Sequence, residues 1–114
     1  VISWDHKLFL MGFMPIADIF RNGHPAFEGR AMPGPVKLEQ IPALVERGKA
    51  RLEFFWTAVD DHLADNTWFA GDNFSFADID MFCICEFAGW IKTGIPDDCT
   101  HIKAWHERAT AELA

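Results

Sequence analysis

One segment of the chain specifies a helix start at every position: Trp68-Phe69-Ala70-Gly71-Asp72-Asn73-Phe74-Ser75-Phe76-Ala77-Asp78-Ile79. Ser75 is the N-cap candidate, its hydroxyl placed to accept the backbone N–H of Asp78. The Asp78 carboxylate can reach back to the N–H of Ser75, which makes a capping box with Asp where Glu or Gln is usual. Phe74 before the cap and Ile79 after the first turn are spaced as a hydrophobic staple. Gly71-Asp72 is turn chemistry, with Gly71 free to take positive φ. Residues 76–92 then run apolar with little interruption, from Met81, Phe82 and Cys83 to Trp90 and Ile91. Such a run predicts a helix buried on all sides. With Asp78, Asp80 and Glu86 inside it, it reads as a core helix and not a membrane span. Thr93-Gly94-Ile95-Pro96 predicts its end, Gly94 as the left-handed cap and Pro96 as the stop.

Three further helices are predicted around it. In residues 2–20, Trp4, Leu8, Gly12, Ile16 and Phe20 recur at a four-residue step, with Phe9 and Phe13 beside them. Pro15 removes a donor inside this pattern, so a kink is expected near Met11 or Gly12. Residues 22–35 read as a loop punctuated by Asn22-Gly23, His24-Pro25 and Pro33-Gly34-Pro35. Its length marks it as functional or mobile, and its cations Arg21, His24 and Arg30 could attract an anion. In residues 40–64, Ile41, Leu44, Val45, Leu52, Phe55, Trp56, Val59 and Leu63 share a face, with Pro42 in the first turn. Gly48 on that face predicts close approach of another helix. Asp60 and Asp61 read as part of a solvated stripe, and His62 as lying at its edge. In residues 100–113, Ile102, Trp105, Ala109 and Leu113 point inward. The predicted fold is therefore all-α, a bundle of four main helices around a buried central one, in a single domain over residues 1–114.

The net charge of −7 opposes nucleic-acid binding, which needs a basic surface. No apolar run is long enough for a membrane span, and the start is not a signal peptide. Cys83, Cys85 and Cys99 are too few for a disulfide framework, and reduced thiols suit the cytoplasm. Cys83-x-Cys85 lacks metal-ligand spacing, and His101 and His106 fall on opposite faces, so no metal is expected. Asp78 and Asp80 face different ways on a helix, which argues against an acid–base pair, and Asp80, read in the first turn, suits the dipole. No Gly-rich phosphate loop, nucleophile elbow or Ser/His/Asp set is legible. The residues alone show no catalytic constellation.

The run Phe69-x-Gly71-Asp72-x-Phe74-Ser75-x-Ala77-Asp78-Ile79 resembles the signature that opens the central helix of the glutathione transferase C-terminal domain, and the likeness extends loosely along the chain to Trp105. That resemblance implies a transferase in which a thioredoxin-like N-terminal domain, with no counterpart in these residues, binds glutathione and activates its thiol. The helical domain would lend one wall of the pocket for a small hydrophobic electrophile, carried by position onto Phe9, Gly12, Phe13 and Met14. A thiolate attacking an apolar electrophile against an aromatic, water-poor surface is sound chemistry. The resemblance also implies a cytoplasmic homodimer, with contacts near Trp4 and Asp5, and a detoxifying role. This chain by itself is not expected to conjugate glutathione. The other reading is a non-catalytic scaffold of the same fold mediating protein–protein assembly, which would favour a charged docking surface over an open apolar face.

Overall fold

The computed structural model describes residues 2–32 and 34–114; Val1, and Pro33 among the prolines expected to punctuate the loop, lie outside the described residues. The order is α1 (Ile2–Leu8), a π-helical turn (Phe9–Phe13), α2 (Met14–Gly23), a 3-10 turn (Pro25–Phe27), α3 (Pro42–Ala64), α4 (Phe76–Trp90) and α5 (Thr100–Leu113). Among the described residues the only β pairing is two isolated bridges, Arg30 with Leu38 and Trp68 with Gly71. The fold is all-helical, as the periodicity predicts.

The first rod continues from α1 through the π turn into α2, and Pro15 explains the change of register. The Met14 N–H bonds the carbonyl of Phe9, five residues back. In that register Pro15 would serve the Leu10 carbonyl, but proline has no N–H. Arg51 of α3 supplies the missing donor, its Nη2 lying 2.8 Å from the Leu10 oxygen. The disturbance expected near Met11 and Gly12 is thus a π turn capped from outside the helix.

The first rod packs along α3 at two glycines, Gly12 of the π turn and Gly48 of α3. A Cβ on Gly48 would lie 2.9 Å from both the Pro15 carbonyl and the Ile19 side chain, which bears out its role in close approach. A Cβ on Gly12 would lie 2.5 Å from the Phe55 ring. Around this crossing Leu8, Ile16, Phe55, Val59, Met81, Ile102 and Trp105 form one continuous core.

Both arms of the predicted capping box are present at α4. Asp78 is fully buried, and its carboxylate accepts from the Ser75 amide at 3.0 Å and the Ser75 hydroxyl at 3.3 Å. It also accepts from the Phe69 amide at 3.2 Å and the Trp105 indole at 2.9 Å. The Phe69 carbonyl is taken by His62 Nε2 at 3.0 Å, so that nitrogen carries the proton. Gly71 adopts φ +101° in the turn, as its position predicts.

Several expectations are corrected. His62 is not at a solvated edge; it is half-buried under Trp4, with ring centroids 4.3 Å apart. Asp60 is not merely solvated: its Oδ1 accepts the amides of His101 and Ile102 at 3.0 Å each, capping α5 from α3. Asn22 and Gly23 belong to α2, and Ile41 and Leu113 are exposed. The left-handed residue after α4 is Lys92 at φ 63°, not Gly94. There the amides of Lys92 and Thr93 bond the carbonyls of Gly89 and Ala88, a Schellman closure two residues earlier than expected. Finally, α4 is not buried on all sides. Phe76, Ile79, Cys83 and Trp90 form an exposed stripe along it, because the first rod and α5 cover only its other faces.

Candidate functional site

The open face of α4 and the exposed flank of the first rod enclose a groove of about 870 Å³. Its walls are Phe9, Leu10 and Phe13 on one side and Phe82, Cys83, Phe87 and Trp90 on the other. The rings are ordered against one another. Phe9 stacks on Phe13 at 5.6 Å, Phe13 meets Phe87 at 5.8 Å, and Phe87 lies edge-on to Trp90 at 6.3 Å. Trp90 is 79% exposed and Phe9 52%, far more than such residues retain in a packed core. A contiguous aromatic surface of this kind marks a binding face.

The local sequence builds the groove. The π turn sets Phe9 and Phe13 on its outer side while Gly12 beneath them abuts Phe55, and the stripe on α4 follows from Cys83, Phe87 and Trp90 at helical spacing. Of the residues assigned to a pocket wall, Phe9 and Phe13 line the groove; Gly12 and Met14 do not. Gly12 is buried against Phe55, and Met14 is exposed. Cys83 and Trp90 escape a reading from sequence because an apolar stretch without polar breaks gives no hint of which of its faces stays open.

One end of the groove is acidic. Asp5 of α1 and Asp80 of α4 both line it, and a hydrogen bond between their carboxyls, aided by burial and by the Asp5 charge, pushes Asp80 up to about 6. A carboxyl held beside another in this way favours its protonated form. The dipole reading of Asp80 is therefore overturned: it lies beyond the first turn, and Asp5 outweighs the helix terminus. His6 and Glu86 also line the groove. Trp4, placed by the resemblance at a dimer contact, packs inward on His62 and Phe69.

The remaining candidates have structural partners. All three cysteines are free; burial pushes the Cys85 thiol up, and burial with the nearby Asp60 charge raises Cys99. His106 stacks on Phe82 at 5.0 Å and lies 3.2 Å from Glu86 Oε1. Among the described residues no group of three or more His, Cys, Asp or Glu side chains is placed to hold a metal ion. No described helix is long and apolar enough to cross a membrane.

Comparison with known proteins agrees with this architecture. The profile of the family described as "Glutathione S-transferase, C-terminal domain" matches residues 32–112. A segment of 49 residues is 37% identical to "Glutathione S-transferase 2" of Saccharomyces cerevisiae, covering 43% of this chain and 21% of that protein. The crystal structure of Gtt2 from Saccharomyces cerevisiae superposes with a TM-score of 0.80 at 24% identity, over 98% of this chain and 54% of that one. The chain spans about half the length of that solved relative, and at this identity the likeness speaks to the fold.

Proposed function

Since the chain belongs to the glutathione S-transferase C-terminal domain family, we propose that it is the helical half of a glutathione transferase and that its groove forms the apolar wall of the electrophile site. The observation that carries this reading is the exposed aromatic groove between the first rod and α4. A solvent-facing wall of Phe9, Phe13, Phe87 and Trp90 suits an apolar electrophile held out of water. It equally suits coverage along part of its length by a neighbouring domain. Glutathione would be the co-substrate, held mainly by a thioredoxin-like half. This chain would contribute orientation and exclusion of water, and the thiolate would come from that other half. The whole protein would be a cytoplasmic homodimer acting in detoxification. A scaffold reading would favour a charged docking surface, whereas the open surface here is aromatic.

The test uses the protein with its glutathione-binding half, assayed with 1-chloro-2,4-dinitrobenzene. Phe9→Ala with Phe13→Ala raises KM for the electrophile about tenfold, from the loss of roughly 1.5 kcal/mol of apolar contact, and leaves KM for glutathione within twofold. Unchanged electrophile kinetics sinks the assignment. The 114-residue chain alone shows no turnover; measurable conjugation by it contradicts the division of labour.

A further inference from the structure

The groove between the first rod and α4 carries charge of one sign. Asp5, Asp80 and Glu86 line it, with His6 as their basic neighbour, and neither Lys nor Arg is among the described residues of its wall. We propose that the groove favours small organic cations, an ammonium group carried on an aromatic electrophile, and that Asp5 and Asp80 set this preference. The proposal rests on the groove being the electrophile site. By themselves the acids would be a solvated patch; the aromatic wall beside them makes them selective. Phe9, Phe13, Phe87 and Trp90 follow one another along the groove, and Phe9 and Trp90 are more than half exposed. The faces of such rings carry partial negative charge, so they attract a cation and oppose an anion. Rings and carboxylates therefore select the same sign.

The two aspartates are not neutralised from within the chain. Among the described residues no Lys or Arg pairs with Asp5, Asp80 or Glu86. Lys7, two residues from Asp5, lies over the Trp4 ring, 4.8 Å from its centroid. Glu86 is held by His106 at 3.2 Å, which leaves Asp5 and Asp80 as the uncompensated pair. That pair also gains from a cation. Asp5 comes from α1 and Asp80 from α4, and the packing of those helices keeps the two carboxyls together. Asp80, pushed up to about 6, is mostly ionised at neutral pH, where the two carboxylates repel. A cation on the pair relieves that repulsion. Both carboxyls stand on helices formed before it arrives, which lowers the ordering cost of binding. A neutral electrophile draws nothing from the acids, and an anionic one is opposed by both the acids and the rings.

The test uses the protein with its glutathione-binding half and three chloronitrobenzenes that differ only in the group para to chlorine. These are the cation 4-chloro-N,N,N-trimethyl-3-nitroanilinium, neutral 1-chloro-2,4-dinitrobenzene and the anion 4-chloro-3-nitrobenzenesulfonate. KM for the cation is expected to lie at least tenfold below that for the sulfonate. Asp5→Asn with Asp80→Asn raises the ratio of the cation's KM to the neutral compound's at least fivefold, and Asp80→Asn alone moves it the same way. Asp72 and Glu112 are exposed and off the groove. Asp72→Asn with Glu112→Gln removes as much charge and leaves the ratio within twofold. Circular dichroism checks the fold of each variant. Equal KM for cation and sulfonate, an unmoved ratio in the Asp5/Asp80 variants, or an equal rise in the Asp72/Glu112 variant overturns the proposal. Should charge make no difference while Phe9→Ala with Phe13→Ala still raises KM for the neutral compound, the charge preference falls and the groove assignment stands. Should that variant also be without effect, the assignment falls with it.

Discussion

The Asp78 carboxylate accepts from the Phe69 and Ser75 amides, the Ser75 hydroxyl and the Trp105 indole, so it joins the turn before α4 to α5 as well as capping α4. A cap alone is worth about 1 kcal/mol. Removing a buried charged acceptor also strands its donors, at about 1–3 kcal/mol each. Asp78→Ala is therefore expected to cost about 3 kcal/mol or more, and Ser75→Ala about 1 kcal/mol, as read from urea midpoints. Equal losses in the two variants would show that Trp105 and Phe69 do not depend on the carboxylate. The capping box is legible in the sequence because its two members are three residues apart. Trp105 and Phe69 are not, since nothing local specifies a partner across the core. The same holds for Asp60, whose role as the cap of α5 is set by the packing of α3 against α5. Gly12 is a different case: the resemblance places it in a pocket wall, whereas in the structure it lies against Phe55.

Elements are easier to read than their ends and faces. The apolar repeats of the first rod and α3, and the box at α4, specify helices from local spacing alone. The end of α4 is misread because Gly94 is the better left-handed residue by propensity, yet the Schellman hydrogen bonds place that conformation at Lys92. Lys92→Gly then relieves the strain of a side chain at positive φ. It is expected to stabilise the protein by about 0.5–1 kcal/mol, seen as a higher melting temperature. A lower one would show that Lys92 is held by its side chain. The π turn offers a second test. Arg51 serves the Leu10 carbonyl that Pro15 cannot. Arg51→Ala is expected to cost about 1 kcal/mol in the native background and less after Pro15→Ala, because an alanine there restores an N–H within the rod. Additive losses in the double-mutant cycle would mean that the guanidinium acts only through Asp18. The open face of α4 cannot be read from sequence at all. An apolar run reports what a helix can bury, and only the arrangement of neighbours decides which side is left.

At the scale of the molecule, an acidic chain brings two of its carboxyls together where α1 meets α4. Asp5 and Asp80 come from distant parts of the sequence, and both line the aromatic groove that is the candidate site. The folded state raises Asp80 to about 6, while an unfolded chain returns it to the ordinary range near 3.9. Between those values the folded protein holds more protons than the unfolded one, so this group's contribution to stability falls as pH rises from about 4 to about 6. Below that window both states are protonated and the contribution is complete; above it the two carboxylates repel across the α1–α4 contact. Asp80→Asn keeps a donor for Asp5 at every pH. The variant and the native chain are thus expected to have similar urea midpoints at pH 4. They diverge through pH 5 and 6, with the variant the more stable at pH 7. The other groups on the groove, His6 and Glu86, are common to both proteins and cancel in the difference. Because the pair is largely solvent-accessible, screening limits the effect, and 0.5 M salt is expected to shrink the gap at pH 7. A difference that stays flat from pH 4 to 7 would mean that Asp5 does not raise Asp80, and that the acidic end of the groove carries two independent charges toward any ligand.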